Sequence, residues 1–137
     1  MTTLFTTGLA LALMTGSAFA GPASDKAQAH IDAIAKGDVA AITAAYGSDA
    51  TLHWVGGPLD GTYAGMDRMK DVWGKFGAAQ GPLKASVANV LESANPKGAT
   101  VVANVTFAGK STVKVRHVML FREDKLVAET WQVDPSL

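Results

Sequence analysis

The sequence predicts an α+β domain, with helices near the N-terminus packed on one face of a curved antiparallel sheet. Two observations point there. Apolar residues recur at helical spacing early in the chain, beside glycine stops and aspartate starts. From about Leu83 onward the stretches turn β-rich, and short polar or glycine-containing turns divide them.

The first twenty residues stand apart. Leu9 to Met14 is a short apolar run, and Ser17-Ala18-Phe19-Ala20 precedes Gly21. Ala18-x-Ala20 is a small-x-small cleavage pattern. The run is too short to cross a bilayer, which takes roughly 20 residues. No Lys or Arg lies near Met1, so the α-amine is the only positive charge there. The expectation is a secretory signal peptide over 1–20, a single domain over 21–137, and a periplasmic or secreted location. No cysteine is present, so neither a disulfide nor a lipidated cysteine holds the domain, and packing must do so. Twelve acidic and twelve basic residues balance, which gives no reason to expect nucleic acid or anionic membrane as a partner. No second long apolar run follows, so no membrane association is expected after cleavage.

Ser24 is placed to cap a helix from Asp25 to about Lys36, stopped by Gly37. Ala27, Ile31 and Ile34 form its apolar stripe. Asp38 is placed to cap a second helix, Val39 to Tyr46, closed by Gly47. Ala50 to Val55 reads as a strand, broken by Gly56-Gly57-Pro58, and Asp60-Gly61 marks a turn before Thr62-Tyr63. A third helix follows Gly65, about Met66 to Phe76, with Met66, Met69, Val72, Trp73 and Phe76 on one side. Gly77 to Pro82 reads as a loop. Strands then run from Leu83 to Glu92 and from Thr100 to Phe107, with a turn at Asn95-Pro96-Lys97-Gly98.

The chain ends in a long antiparallel hairpin. Thr112 to Phe121 leads into the charged turn Arg122-Glu123-Asp124-Lys125 and returns as Leu126 to Val133. Alternation puts Val115, His117, Met119 and Phe121 on one face and Lys114 and Arg116 on the other. His117 is thus a titratable ring on an apolar face. It is either a hydrogen-bonded core histidine or an acid/base group near neutral pH. Two registers fit the return strand. One turns Glu129 and Trp131 toward His117, where a charge-assisted pair forms; the other turns Glu129 to solvent opposite Arg116. Asp38, Asp49 and Asp67 read as caps and Asp134 as a solvated tail. His30 reads as an exposed helix position, and His53 and His117 as strand positions. No pair has local ligand spacing, so neither metal nor other cofactor is expected. No phosphate loop and no nucleophile turn is recognisable.

Four stretches carry a resemblance: Ala35-Lys36-Gly37-Asp38-x-x-Ala41-Ile42; Tyr46-Gly47-Ser48-Asp49-Ala50-Thr51-Leu52-His53-Trp54; Gly61-Thr62-Tyr63-Ala64-Gly65-Met66-Asp67; and Phe121-x-x-Asp124-Lys125-Leu126-Val127-x-Glu129-x-Trp131-x-x-Asp134. Their order and spacing resemble the nuclear transport factor 2-like superfamily, in particular its SnoaL-like branch. The resemblance implies a cone-shaped α+β barrel, in which a strongly curved mixed or antiparallel sheet wraps the helices around a deep cavity open at one end. It also implies homodimers through the outer sheet face. It does not imply one activity, because the fold hosts isomerases, cyclases, hydrolases, dehydratases and binding modules. Against the ketosteroid isomerases of this superfamily, His117 falls where an acid donates to the substrate oxyanion. Trp54 falls where those enzymes keep a carboxylate base, and an indole accepts no proton, so that mechanism is not expected. A one-residue shift offers His53 instead.

Two functions follow from this reading. The first is a module that binds a small apolar or aromatic molecule against Trp54, Trp73, Met119, Phe121 and Trp131, with Tyr46 and His53 in reach and His117 and Glu129 setting orientation. The second is a proton-transfer enzyme (isomerase, cyclase or dehydratase) using His117 with Glu129 as acid or base. A third reading is a protein-interaction domain that dimerises through outward Val118 and Leu120.

Overall fold

Local rules and long-range pairing together set the element boundaries in the computed structural model, which describes residues 21–137. The signal peptide expected over 1–20 lies outside the described residues. In chain order the elements are α1 (Pro22–Lys36), α2 (Val39–Ala44), β1 (Tyr46–Val55), β2 (Gly61–Ala64), α3 (Met66–Gln80), β3 (Lys84–Asn95), β4 (Gly98–Ala108), β5 (Thr112–Arg122) and β6 (Lys125–Val133). Among the described residues, no helix is long and apolar enough to cross a membrane.

α1 starts three residues earlier than Ser24 capping predicts. Pro22 takes the first turn, where its missing N–H is not needed. Ser24 is buried inside that turn, and its backbone N–H donates to Glu92 Oε1 at 2.7 Å. The capping acceptor therefore comes from β3, not from the local sequence. The stop is as expected: Gly37 adopts a left-handed φ of 69°. Asp38 caps α2, its Oδ1 accepting from the Ala41 N–H at 3.1 Å. Asp67 is not a cap; it lies in the first turn of α3, where its charge suits the helix dipole. α2 ends before Tyr46 because the sheet takes over: the Leu126 N–H donates to the Ala45 carbonyl at 2.9 Å, and Tyr46 opens β1. α3 runs through Gly77 to Gln80, one turn beyond the expected end, carried by the good helix formers Ala78, Ala79 and Gln80.

The six strands form one sheet in the order β2-β1-β6-β5-β4-β3. It is mixed, because β1 and β6 run parallel while every other pair is antiparallel. Sequence neighbours suggest antiparallel hairpins; the parallel pair joins the first strand to the last and has no local signal. β3 is interrupted between Ala88 and Leu91, where Asn89 takes a positive φ of 54° and the strand bends. At the β3–β4 turn, a Cβ on Gly98 would lie 2.5 Å from the Phe121 carbonyl oxygen, so only glycine fits there. The helices cover the inner face. Ile31, Ile34, Ile42, Val72 and Phe76 meet Leu52, Val101, Val105, Phe107, Val115 and Leu126 in one core.

Candidate functional site

Period-two alternation and one bulge decide what faces inward on the hairpin. Val115, His117, Met119 and Phe121 of β5 are all buried, as the sequence predicts. His117 pairs with Trp131 and Met119 with Glu129, and an irregularity at Leu120/Phe121 adjusts the register. This realises the first of the two registers: Glu129 and Trp131 look inward, and Arg116 lies across from Gln132.

Glu129 is the hub of a buried polar cluster. Its Oε1 meets His117 Nε2 at 2.5 Å and His30 Nε2 at 2.9 Å. The Tyr46 hydroxyl donates to its Oε2. Trp73 Nε1 in turn donates to the Tyr46 oxygen at 2.9 Å. These side chains come from α1, β1, α3, β5 and β6, so the cluster ties every layer of the fold to one carboxylate. All five residues are buried.

The electrostatics follow from that geometry. Burial works to raise the Glu129 pKa, but the charge of His30 and the hydrogen bonds from His117 and His30 outweigh it and hold the carboxyl well below its usual range. Burial pushes the His117 ring down, against the pull of Glu129. Burial and then the Glu129 charge push Tyr46 well above its ordinary value, so it remains a donor. A carboxylate only accepts, so each Nε2 that bonds it carries the hydrogen.

Two imidazoles and a carboxylate, with donor atoms within 4.8 Å of one another, also match a metal-binding donor set. The expectation of no metal rested on the histidines lying apart in sequence, and the fold removes that premise for His30 and His117. Ligation through Nε2 would move each ring hydrogen to Nδ1, and neither Nδ1 has an acceptor among the described residues. Metal-ligating histidines almost always donate that second N–H. The hydrogen-bonded hub needs no hydrogen on either Nδ1, which is the cheaper arrangement.

Beside the cluster stands a wall of aromatic rings. Trp131 packs with Trp54 at 5.1 Å and with Trp73 at 5.2 Å between centroids, and Phe76 lies 5.4 Å from Trp54. The buried Trp131 Nε1 has no acceptor among the described residues. On the far side of Trp54 and Phe76 a cleft of about 360 Å³ opens, lined also by Leu59, Ala79, Val113 and Val133, with Lys75 and Gln80 as its polar members. Where the resemblance implies one deep hollow, the molecule holds a filled aromatic layer with an apolar cleft outside it and the polar hub behind it.

The expected ligand wall is thus only partly assembled. Trp54, Trp73 and Trp131 come together, and Tyr46 joins the hub. Met119 lies beside Glu129 in the sheet, inside the core. Phe121 lies elsewhere: it lines a second groove, of about 410 Å³, with Pro22, Lys26 and Glu92. His53 is excluded, because Leu52 and Trp54 point inward and alternation turns His53 out. It is exposed on the outer face, with Nδ1 3.3 Å from Thr62 Oγ1. Neither cleft nor groove is lined by His117 or Glu129. His30 was misread as exposed. The signal that could have found it is its position in the run Ala27, His30, Ile31, Ile34, which is the helical core spacing.

A family model described as a SnoaL-like domain matches residues 27–129. No curated protein matches the chain. Among solved structures, an NTF2-like protein of unknown function from Pseudomonas putida KT2440 aligns with a TM-score of 0.67 at 16% identity, covering 79% of this chain and 81% of that one. An NTF-2 like protein of unknown function from Burkholderia xenovorans LB400 gives 0.64 at 19% identity, covering 80% of each chain. A ketosteroid isomerase-like protein from Erwinia carotovora atroseptica SCRI1043 gives 0.62 at 17% identity, covering 80% of this chain and 91% of that one. Likeness at these identities speaks for the fold alone.

Proposed function

This chain belongs to the SnoaL-like domain family of the nuclear transport factor 2-like superfamily, and from that premise we propose that it binds a small apolar or aromatic molecule in the cleft outside Trp54 and Phe76. The observation that carries this is the cleft itself. It is about 360 Å³, walled by Trp54, Phe76, Leu59, Val113 and Val133, and touched by few polar groups. Small-molecule sites have that composition and that order of size. In this reading the Glu129 hub holds Trp73 in place from behind, so the aromatic wall is rigid before the ligand arrives. The domain works in the periplasm or outside the cell after loss of residues 1–20. It pairs with a second copy through its outer sheet face, where Val102, Val118 and Leu120 are half-buried and Leu91 is 70% exposed.

Native mass spectrometry of protein purified from its own host tests the reading, since it reports a retained small molecule and the oligomeric state together. Titration with naphthalene, followed by tryptophan fluorescence, is the direct assay. Ala79→Arg, an exposed position on the cleft wall, should weaken that binding at least tenfold without unfolding the domain. Unchanged binding would remove the cleft from the site.

One observation favours a second reading. Glu129 touches two imidazoles and a phenol, the inventory of a proton-transfer site, with His117 as the acid or base. That reading requires substrate to pass the layer formed by Trp54, Trp73 and Trp131. Solvent exchange at the His117 ring, measured by NMR in the presence of naphthalene, separates the two: a ring that stays shielded leaves binding alone.

A further inference from the structure

We propose that Glu92 is a receptor for the α-ammonium group that cleavage after Ala20 would create on Gly21. The proposal rests on the signal-peptide reading of residues 1–20 but not on the cleft.

Glu92 is a carboxylate with no cationic partner among the described residues. Glu92 projects from β3 to the start of α1, where its Oε1 accepts the Ser24 N–H at 2.7 Å. The ion pairs formed by lysine among the described residues join Lys26 to Asp124 and Lys75 to Asp71, and none reaches Glu92. Its other oxygen, Oε2, is turned to Gly21: a Cβ built there would lie 2.0 Å from it. Gly21 has a positive φ of 109° in the uncleaved chain, a conformation that favours glycine, and having no side chain it lets the carboxylate come close. The carboxylate oxygen therefore sits against the carbon that bears the backbone nitrogen of residue 21.

In the uncleaved chain that nitrogen is a neutral amide bonded to Ala20. Hydrolysis of the Ala20–Gly21 bond adds water across it. Ala20 leaves with a carboxylate, and Gly21 keeps an amine that is protonated at neutral pH. The new positive charge forms next to Oε2 and supplies the missing partner. Glu92 then holds the first turn of α1 by two different bonds, one to the Ser24 N–H and one to the chain's own terminus. Asp25, whose N–H donates to the Gly21 carbonyl at 3.1 Å, keeps residue 21 inside the helix start and limits how far the amine can drift. Processing and anchoring of the first helix are thereby one event, and the uncleaved chain lacks this ion pair.

The test compares the 21–137 chain bearing a free Gly21 amine with the same chain acetylated at Gly21. Acetylation should lower the thermal midpoint by about 2–4 °C, the range for one ion pair in a domain of this size. Glu92→Gln keeps an acceptor for Ser24 but loses the charge, so acetylation of that variant should shift the midpoint by less than about a third as much. Equal shifts in both backgrounds overturn the proposal and leave the signal-peptide reading untouched. Mass spectrometry of the exported protein should find Gly21 as the first residue; a different terminus overturns the signal-peptide reading and this proposal with it.

Discussion

The Glu129 hub and the Trp54 cleft lie on opposite sides of the same aromatic layer, and their chemistry is the reverse of what solvent would favour. The carboxylate, two imidazoles and phenol are sealed away from water, whereas the apolar cleft keeps Leu59, Val113 and Val133 half-buried and Ala79 exposed. Sealing the polar groups is affordable only because they satisfy one another, each Nε2 and the phenol finding one acceptor. The open apolar positions have no such internal remedy, and the proposed apolar ligand would cover them. The hub is assigned to stability and the cleft, in the proposed function, to binding, so substitutions in the two should separate cleanly.

The largest effect should come from removing the hub's acceptor. Glu129→Ala leaves the His30 and His117 rings and the Tyr46 hydroxyl hydrogen buried without an acceptor, and should destabilise the fold by about 3–5 kcal/mol in urea denaturation. A loss below about 1 kcal/mol would show that water reaches these groups and that the hub is not sealed. Acid comes next. Glu129 is held below its ordinary value in the fold, so its stabilisation is present above that value and drains away as pH falls through it. His117 is also held down, so the unfolded chain binds its proton first and stability falls from about pH 6.5 downward. Both shifts carry the same sign, and the thermal midpoint should drop steadily from pH 7 to pH 4. A flat profile would contradict the hub. Trp73→Phe should be milder, about 1–3 kcal/mol from the lost bond to Tyr46 and the smaller ring. Smallest for stability is Ala79→Arg, within about 0.5 kcal/mol of the parent by calorimetry, yet with naphthalene affinity reduced at least tenfold. If it instead destabilised as much as Trp73→Phe, cleft and hub would be one unit.

How much of this the sequence reveals depends on the range of each interaction. Signals confined to a few residues were legible: the stop at Gly37, the cap at Asp38 and the inward set Val115, His117, Met119 and Phe121. Glu129 was legible as a partner of His117 but not as a fixed one, because the irregularity beside Phe121 sets the register and leaves no compositional trace. The Ser24 cap failed because a carboxylate from β3 competes for that turn, an interaction 68 residues long. His53 lies on the outer face because strand alternation with inward Leu52 and Trp54 turns it out, a signal that is local to β1. His30 was hidden by its polarity, although its spacing placed it with Ile31 and Ile34. The expected hollow failed on volume. The indoles of Trp54, Trp73 and Trp131 pack with one another and with Phe76 there, a fact about packing that residue types alone do not reveal.

The side-by-side parallel pairing of β1 with β6 sets the timetable of biogenesis. The strand that begins at Tyr46 waits for a neighbour made last, and the carboxylate that Tyr46 and His30 require arrives with that same neighbour, 83 and 99 residues further along. Contacts so distant form slowly and late. A nascent chain short of Glu129 therefore has its inner polar groups but no acceptor for them. It stays loose until the final ribbon emerges, and then closes in a single cooperative step.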